Sequence, residues 1–247
     1  YLFSDIRGFT PISEQLKTDP QGLGKLINRY MTPMTDLVMR KEGTIDKYIG
    51  DALMAIWNAP LDVDNHAQLA VETAMEMETE LAKVNKELFK DGLMPLAIGI
   101  GINTGDAVVG NMGSNQRFDY TVLGDSVNLA ARLEAQTKEY GVFFMFTEHT
   151  LKQIPMPNNL VTLDKIAVKG QTEPVTIYTI LKDVKEVRVT NRMVDAYQNR
   201  EWAECAHQIE VMKEHNWNET LANLYAERIK QPMPKDDWDG VERKTSK

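Results

Sequence analysis

Two short apolar runs, "GTIDKYI" and "ALMAIW", are separated only by Gly50 and Asp51. A link that short forces an antiparallel hairpin, and glycine at its first central position suits a type II′ turn. The chain on either side changes period. Upstream, Leu23, Leu26, Ile27, Tyr30, Met34 and Leu37 recur at helical spacing and predict helix over about 12–40, broken near Pro20. Downstream, Ala67, Ala70, Val71, Ala74, Leu81, Val84 and Leu88 form one apolar stripe, with Asp62 or Asp64 as the expected cap. A strand ending near Asp5 precedes the first helix, and "LAIGIGINTG" follows the second.

The order is therefore βαββαβ. It predicts an α+β fold, a ferredoxin-like core sheet with extra strands and helices on one face. The run "DAVVGNMG" is expected to pair with "LAIGIGINTG". A short strand in "FDYTVLG", a helix over "DSVNLAARLEAQTKEY" and strands near 142–146, 160–168 and 174–181 complete the first unit. Past residue 184 the chain becomes helical by period, with Tyr197, Trp202, Ala203, Ala206 and Ile209 on one side. This predicts a C-terminal helical hairpin similar to one tetratricopeptide unit, either docked over apolar surface or open to a partner. The polar end "KDDWDGVERKTSK" reads as a loosely held tail. The expected organisation is a domain over 1–183 and a helical tail over 184–247.

Composition narrows the function classes. The 247 residues carry 36 acidic against 28 basic side chains, a net charge of −8. No basic footprint for nucleic acid is present, so none is expected as a partner. An anionic small ligand remains compatible with this charge if local cations hold it. A single cysteine, Cys205, excludes an internal disulfide and a cysteine-based zinc site, and fits a reducing, cytoplasmic setting. No apolar run approaches the length of a membrane span, and no signal peptide is evident. The chain begins at Tyr1, already inside a strand-like run. That reads as a piece of a longer protein and leaves room for an upstream sensor domain, which could be membrane-anchored.

Asp5 and Asp51 carry the first chemical signal. Each ends or turns a strand, and the two strands are expected to be sheet neighbours. Carboxylates brought together beside apolar residues are costly unless something positive lies between them. Divalent cations with phosphate oxygens meet that need. Asn128 and Arg132 give a second signal. Spaced i and i+4, both project from one helix face toward one ligand. Taken singly, Lys47 on a strand and Arg132 on a helix also fit ordinary solvated positions.

The ordered set "FSDIRGFT", "KYIGDA", "GINTG", "GNMGS", "DYTVLGDSVNLAARLE" and "IAVKG" resembles the class III nucleotidyl cyclase catalytic domain, over Tyr1 to about Leu181. The resemblance implies that Asp5, Asp51 and the Ile6 carbonyl hold two divalent cations, Mg²⁺ or Mn²⁺. It implies that the Gly8, Phe9 and Thr10 turn cradles phosphate. Lys47 and Thr121 would read the base, a lysine here accompanying adenine. Asn128 and Arg132 would orient the ribose and stabilise the transition state, and Lys169 would contact the terminal phosphates. It further implies a homodimer, with Asp5 and Asp51 from one subunit and Lys47, Thr121, Asn128, Arg132 and Lys169 from the other. The expected substrate is ATP, and the expected products are 3′,5′-cyclic AMP and pyrophosphate. A guanylate cyclase and a regulatory nucleotide-binding domain without turnover are the alternatives. One departure stands out: many relatives carry an arginine where this chain has Gly99.

Overall fold

The computed structural model describes residues 1–167, 173–230 and 239–243. Strand β1 (Leu2–Ile6) leads through α1 (Phe9–Gln15) and α2 (Pro20–Arg40) to the hairpin β2 (Thr44–Ile49) and β3 (Ala52–Ile56). Helix α3 (His66–Lys90) then returns the chain to β4 (Ile98–Ile102). In space these strands run β4-β1-β3-β2, all neighbours antiparallel. That is the expected βαββαβ core. The break near Pro20 is real, because Asp19 caps α2 by accepting from the Gly22 N–H at 2.9 Å. Helix α3 starts later than expected, with Asn65 rather than Asp62 or Asp64 at its N-cap. The loop before it is instead tied by the Asn58 side chain, which accepts from the Val63 N–H.

The hairpin turn is as read from the sequence. Ile49 pairs with Ala52, and Gly50 sits at φ 66, so only Gly50 and Asp51 lie between the strands.

Beyond the core, β7 (Phe144–Thr147) extends the sheet next to β4, followed outward by β9 (Val175–Ile180), β8 (Leu160–Ala167) and β10 (Glu242–Arg243). The expected pairing of "DAVVGNMG" with β4 is not formed. Strand β5 (Val108–Gly113) pairs with β6 (Phe118–Leu123) as a separate two-stranded ribbon. Both edges of β4 are already taken, by β1 and β7. The close link through Ser114–Arg117 lets the ribbon pair with itself.

Helices cover both faces of the sheet, not one. Helices α2 and α3 pack on the face carrying Leu2, Leu53, Ala55, Ile100, Phe144 and Phe146. Helix α4 (Asp125–Tyr140) lies on the other face, directly over β4 and β1. Gly101 makes that contact possible, since a Cβ there would overlap the Ala130 carbonyl and the Glu134 amide. After the one-turn helix α5 (Glu148–Leu151), helices α6 (Val184–Gln198), α7 (Trp202–Glu214) and α8 (Glu219–Lys230) complete this second layer. They share one apolar cluster with Leu129, Leu133 and Tyr140 of α4 and with Val161, Leu163 and Ile177 of the sheet. The expected hairpin, α6 and α7, is thus joined by a third helix and seated on the sheet. The polar end is partly anchored too: Val241 is buried, and β10 runs parallel to β8.

Helix α8 is fixed by a buried ion pair. Arg228 Nη1 lies 2.8 Å from Asp164 Oδ2, and both side chains are almost fully enclosed. Tyr140 donates to the same carboxylate at 2.6 Å, and the guanidinium lies 5.0 Å from the Tyr225 ring centroid. At the other end of α8, the Asn218 side chain donates to the Tyr140 carbonyl at 3.0 Å and caps the end of α4. Losing one partner of a buried pair strands the other charge. Arg228→Ala should therefore cost about 3–5 kcal/mol in urea unfolding. A loss below about 1 kcal/mol, the range of exposed pairs, would show that Asp164 is satisfied without it.

Candidate active site

Asp5 stands opposite Gly99 in the β1–β4 register and uses Oδ1 to accept from the Ile6 N–H at 3.0 Å. Asp51, in the β2–β3 turn, comes within hydrogen-bonding reach of Asp5 because β1 and β3 are neighbours. Burial and the nearby Asp5 carboxylate push the Asp51 carboxyl up to about 6, while its own and the Ile6 backbone N–H groups pull it down. A third acid, not anticipated from the sequence, joins them. Burial, then the charges of Asp5 and Asp51, push Glu134 up to about 7, with Arg7 opposing. Arg7 is itself tied down, donating through Nη2 to the Val142 carbonyl at 2.6 Å.

Among the described residues, no three His, Cys, Asp or Glu side chains form a ready cation cage. Hard cations take about six oxygens. Asp5 and Asp51 therefore suit a cation shared with phosphate oxygens better than one held by protein alone. The mutual repulsion of these acids is the observation that fits a cation here. The Ile6 side chain faces the core, leaving only its backbone for the site. Gly8, at φ 66, is the N-cap of α1 without a side-chain cap bond, so Phe9 and Thr10 open that helix with free first-turn amides. At Gly99, opposite Asp5, an added side chain would have to displace the Thr137 hydroxyl and the Glu134 carboxyl.

A second group assembles around Asp46. Strand β2 bulges between Ile45 and Lys47, so Asp46 is the extra residue opposite β3. Its carboxylate receives the Thr121 hydroxyl at 2.7 Å and stands 3.2 Å from Lys47 Nζ. Lys47 and Thr121, 74 positions apart by number, thus meet through Asp46, a residue the sequence analysis did not single out.

Asn128 and Arg132 do not join either group. Both are exposed on the outer side of α4, and neither side chain has a hydrogen-bonding or ionic partner among the described residues. Glu134 follows Arg132 by two residues, about 200° around the helix. Since Glu134 faces the carboxylate pair, Arg132 points away from it. Lys169 lies outside the described residues.

Residues 1–182 match the family described as the adenylate and guanylate cyclase catalytic domain. The chain belongs to that family. An adenylate cyclase of Anabaena cylindrica is 38% identical over 186 residues, covering 72% of this chain and 36% of that protein. The adenylyl cyclase CyaB from P. aeruginosa is 34% identical with a TM-score of 0.66, covering 74% of this chain and 92% of that one. The guanylyl cyclase Cya2 is as similar: 36% identity, a TM-score of 0.65, and 72% and 89% coverage. The chain spans about a third of the length of the Anabaena relative. Among the described residues of this cyclase-family domain, no helix is long and apolar enough to cross a membrane. Of the residues that sequence reasoning missed, Glu134 was the most findable, since it ends the motif "GDSVNLAARLE".

The raised acids give the cation-free protein a pH dependence. Their folded pKa values, about 6 and about 7, exceed the ordinary 3.8 and 4.5, so folding takes up protons. The stability they contribute is complete below the ordinary values and is lost as pH rises through about 6 and about 7. Glu134→Gln should therefore raise the melting temperature at pH 8 by roughly 2–4 °C, about 1 kcal/mol after solvent screening, and leave it unchanged at pH 4. Equal shifts at both pH values would show that Glu134 acts through packing rather than charge.

Proposed function

We propose that this domain is an adenylate cyclase that converts ATP to 3′,5′-cyclic AMP and pyrophosphate at the interface of a homodimer. One observation carries the reading. A single chain holds two half-sites that face apart: the carboxylates Asp5 and Asp51 under the inner side of α4, and Asn128 and Arg132 on its outer side. The acidic half has a single nearby cation, Arg7, which is tied to the Val142 carbonyl, and Arg132 has no ionic partner among the described residues. A two-fold pair of chains would bring the two halves together twice. The ribbon β5–β6 fits such a contact, because Val108, Phe118, Tyr120 and Leu123 are exposed on it.

In this reading Asp5, Asp51 and the Ile6 carbonyl hold two divalent cations, Mg²⁺ or Mn²⁺. When bound, these supply charge for the triphosphate and make the ribose 3′ hydroxyl easier to deprotonate. The free amides at Gly8, Phe9 and Thr10 receive phosphate oxygens. Lys169 pairs with the terminal phosphates. From the other subunit, Asn128 positions the ribose. Arg132, always protonated, offers paired donors to the negative charge that grows on the α-phosphate oxygens during attack. Lys47 offers only donors and so complements adenine N1, which accepts, whereas guanine presents a donor at that edge. The solved adenylyl and guanylyl cyclases resemble this chain to nearly the same degree, so the choice of base rests on Lys47 and Thr121. A reducing cytoplasmic compartment rich in ATP is the expected setting. An upstream sensor would act on the dimer geometry.

The test is cyclic nucleotide formation from ATP and GTP, with Mg²⁺ or Mn²⁺, across protein concentration. Cyclic AMP should dominate, with specific activity rising as dimer forms. Asp51→Ala and Arg132→Ala should each be inactive, at least 100-fold down as is common for transition-state groups. Mixed one to one, they should recover roughly a quarter of wild-type activity, since half the dimers regain one site of two. No recovery from demonstrated heterodimers would rule out the cross-subunit site.

A further inference from the structure

We propose that Asp46 sets the hydrogen-bond polarity of Thr121 and so makes the base site selective for a 6-amino purine. The inference rests on the adenylate cyclase reading of this site. It concerns a residue that touches no substrate and acts through its neighbours, as a positioning residue.

The Asp46 side chain is completely enclosed, at 0% exposure. A buried carboxylate is costly unless it is paired and hydrogen-bonded. Here its partners are the two candidate base readers. Oδ2 accepts the Thr121 hydroxyl at 2.7 Å. Oδ1 lies 3.2 Å from Lys47 Nζ, yet makes no aligned hydrogen bond. The bulge in β2 brings this about. Asp46 has no opposite residue in β3, and side chains of adjacent residues reach one place instead of opposite faces.

The consequence is a matter of proton counting. A threonine hydroxyl has one hydrogen and can accept through its lone pairs. Thr121 gives its hydrogen to Asp46, so toward a ligand it can only accept. Lys47 has hydrogens only to give. Together they present one acceptor and one donor. That pattern complements the 6-amino group and N1 of adenine, and it conflicts at both positions with a 6-oxo purine bearing hydrogen on N1. Without Asp46 the Thr121 hydroxyl could rotate and donate to a 6-oxo group. Thr121 alone is a two-way reader; Asp46 makes it one-way. A site that leaves polar groups unpaired against the wrong ligand discriminates more strongly than one that merely lacks a contact.

The experiment compares ATP with inosine triphosphate, which differs at the 6 position and N1, in wild type, Asp46→Asn, Thr121→Val and the double variant. Thermal melting serves as the fold control. In wild type, kcat/KM should favour ATP. In Asp46→Asn, whose amide can donate to Thr121, the ATP-to-ITP ratio should fall about tenfold, the scale of one hydrogen bond. Adding Asp46→Asn to Thr121→Val should not lower the ratio further, because the hydroxyl it would free is gone. An unchanged ratio in a folded Asp46→Asn, with both nucleotides slowed alike, would overturn the inference and leave the adenylate reading intact. If Asp46→Asn does not fold, Thr121→Val decides: an unchanged ratio there overturns the inference, and a fall of about tenfold supports it. A wild type that prefers ITP and GTP, or turns over neither purine, overturns the adenylate reading itself.

Discussion

The close seating of α4 on β4 is the constraint from which the rest follows. Gly101 in β4 lets the backbone of α4 approach the sheet within a distance that any side chain there would prevent, and beside it the Thr137 and Glu134 side chains fill the space over Gly99. This contact fixes the rotation of α4 about its axis. With rotation fixed, Glu134 must face the sheet beside Asp5, and Asn128 and Arg132 must face out.

The far end of α4 is held just as firmly. Asn218 donates to the carbonyl of Tyr140, the last residue of α4, and the buried Arg228–Asp164 pair is bonded by the Tyr140 hydroxyl. The C-terminal helices therefore form part of the same packed layer as α4. Beside β1 the acids crowd one another: burial and neighbouring charges push Asp51 up to about 6 and Glu134 up to about 7.

Much of the architecture was legible because it depends on local rules. Period, turn length and capping located the βαββαβ core, the break before Pro20 and the Gly50–Asp51 turn. The i, i+4 spacing put Asn128 and Arg132 on one helix face. Where the sequence misled, the cause was non-local. The "DAVVGNMG" strand turned back on β6 because β4 had no free edge. Helices appeared on both faces because β7 alternates, sending Phe144 and Phe146 to one core and Met145 to the other. A short polar end held a buried valine that pattern alone did not mark.

The sequence by itself determined the family, the core topology and the identity of the residues with chemical promise, since these reside in local spacing and side-chain type. Tertiary structure alone decided which of those residues share a place. Asp46 joins Lys47 to Thr121 only through a strand bulge, and Glu134 reaches Asp5 only because of the rotation of α4. Both depend on contacts between segments far apart in the chain, and no local preference specifies such contacts.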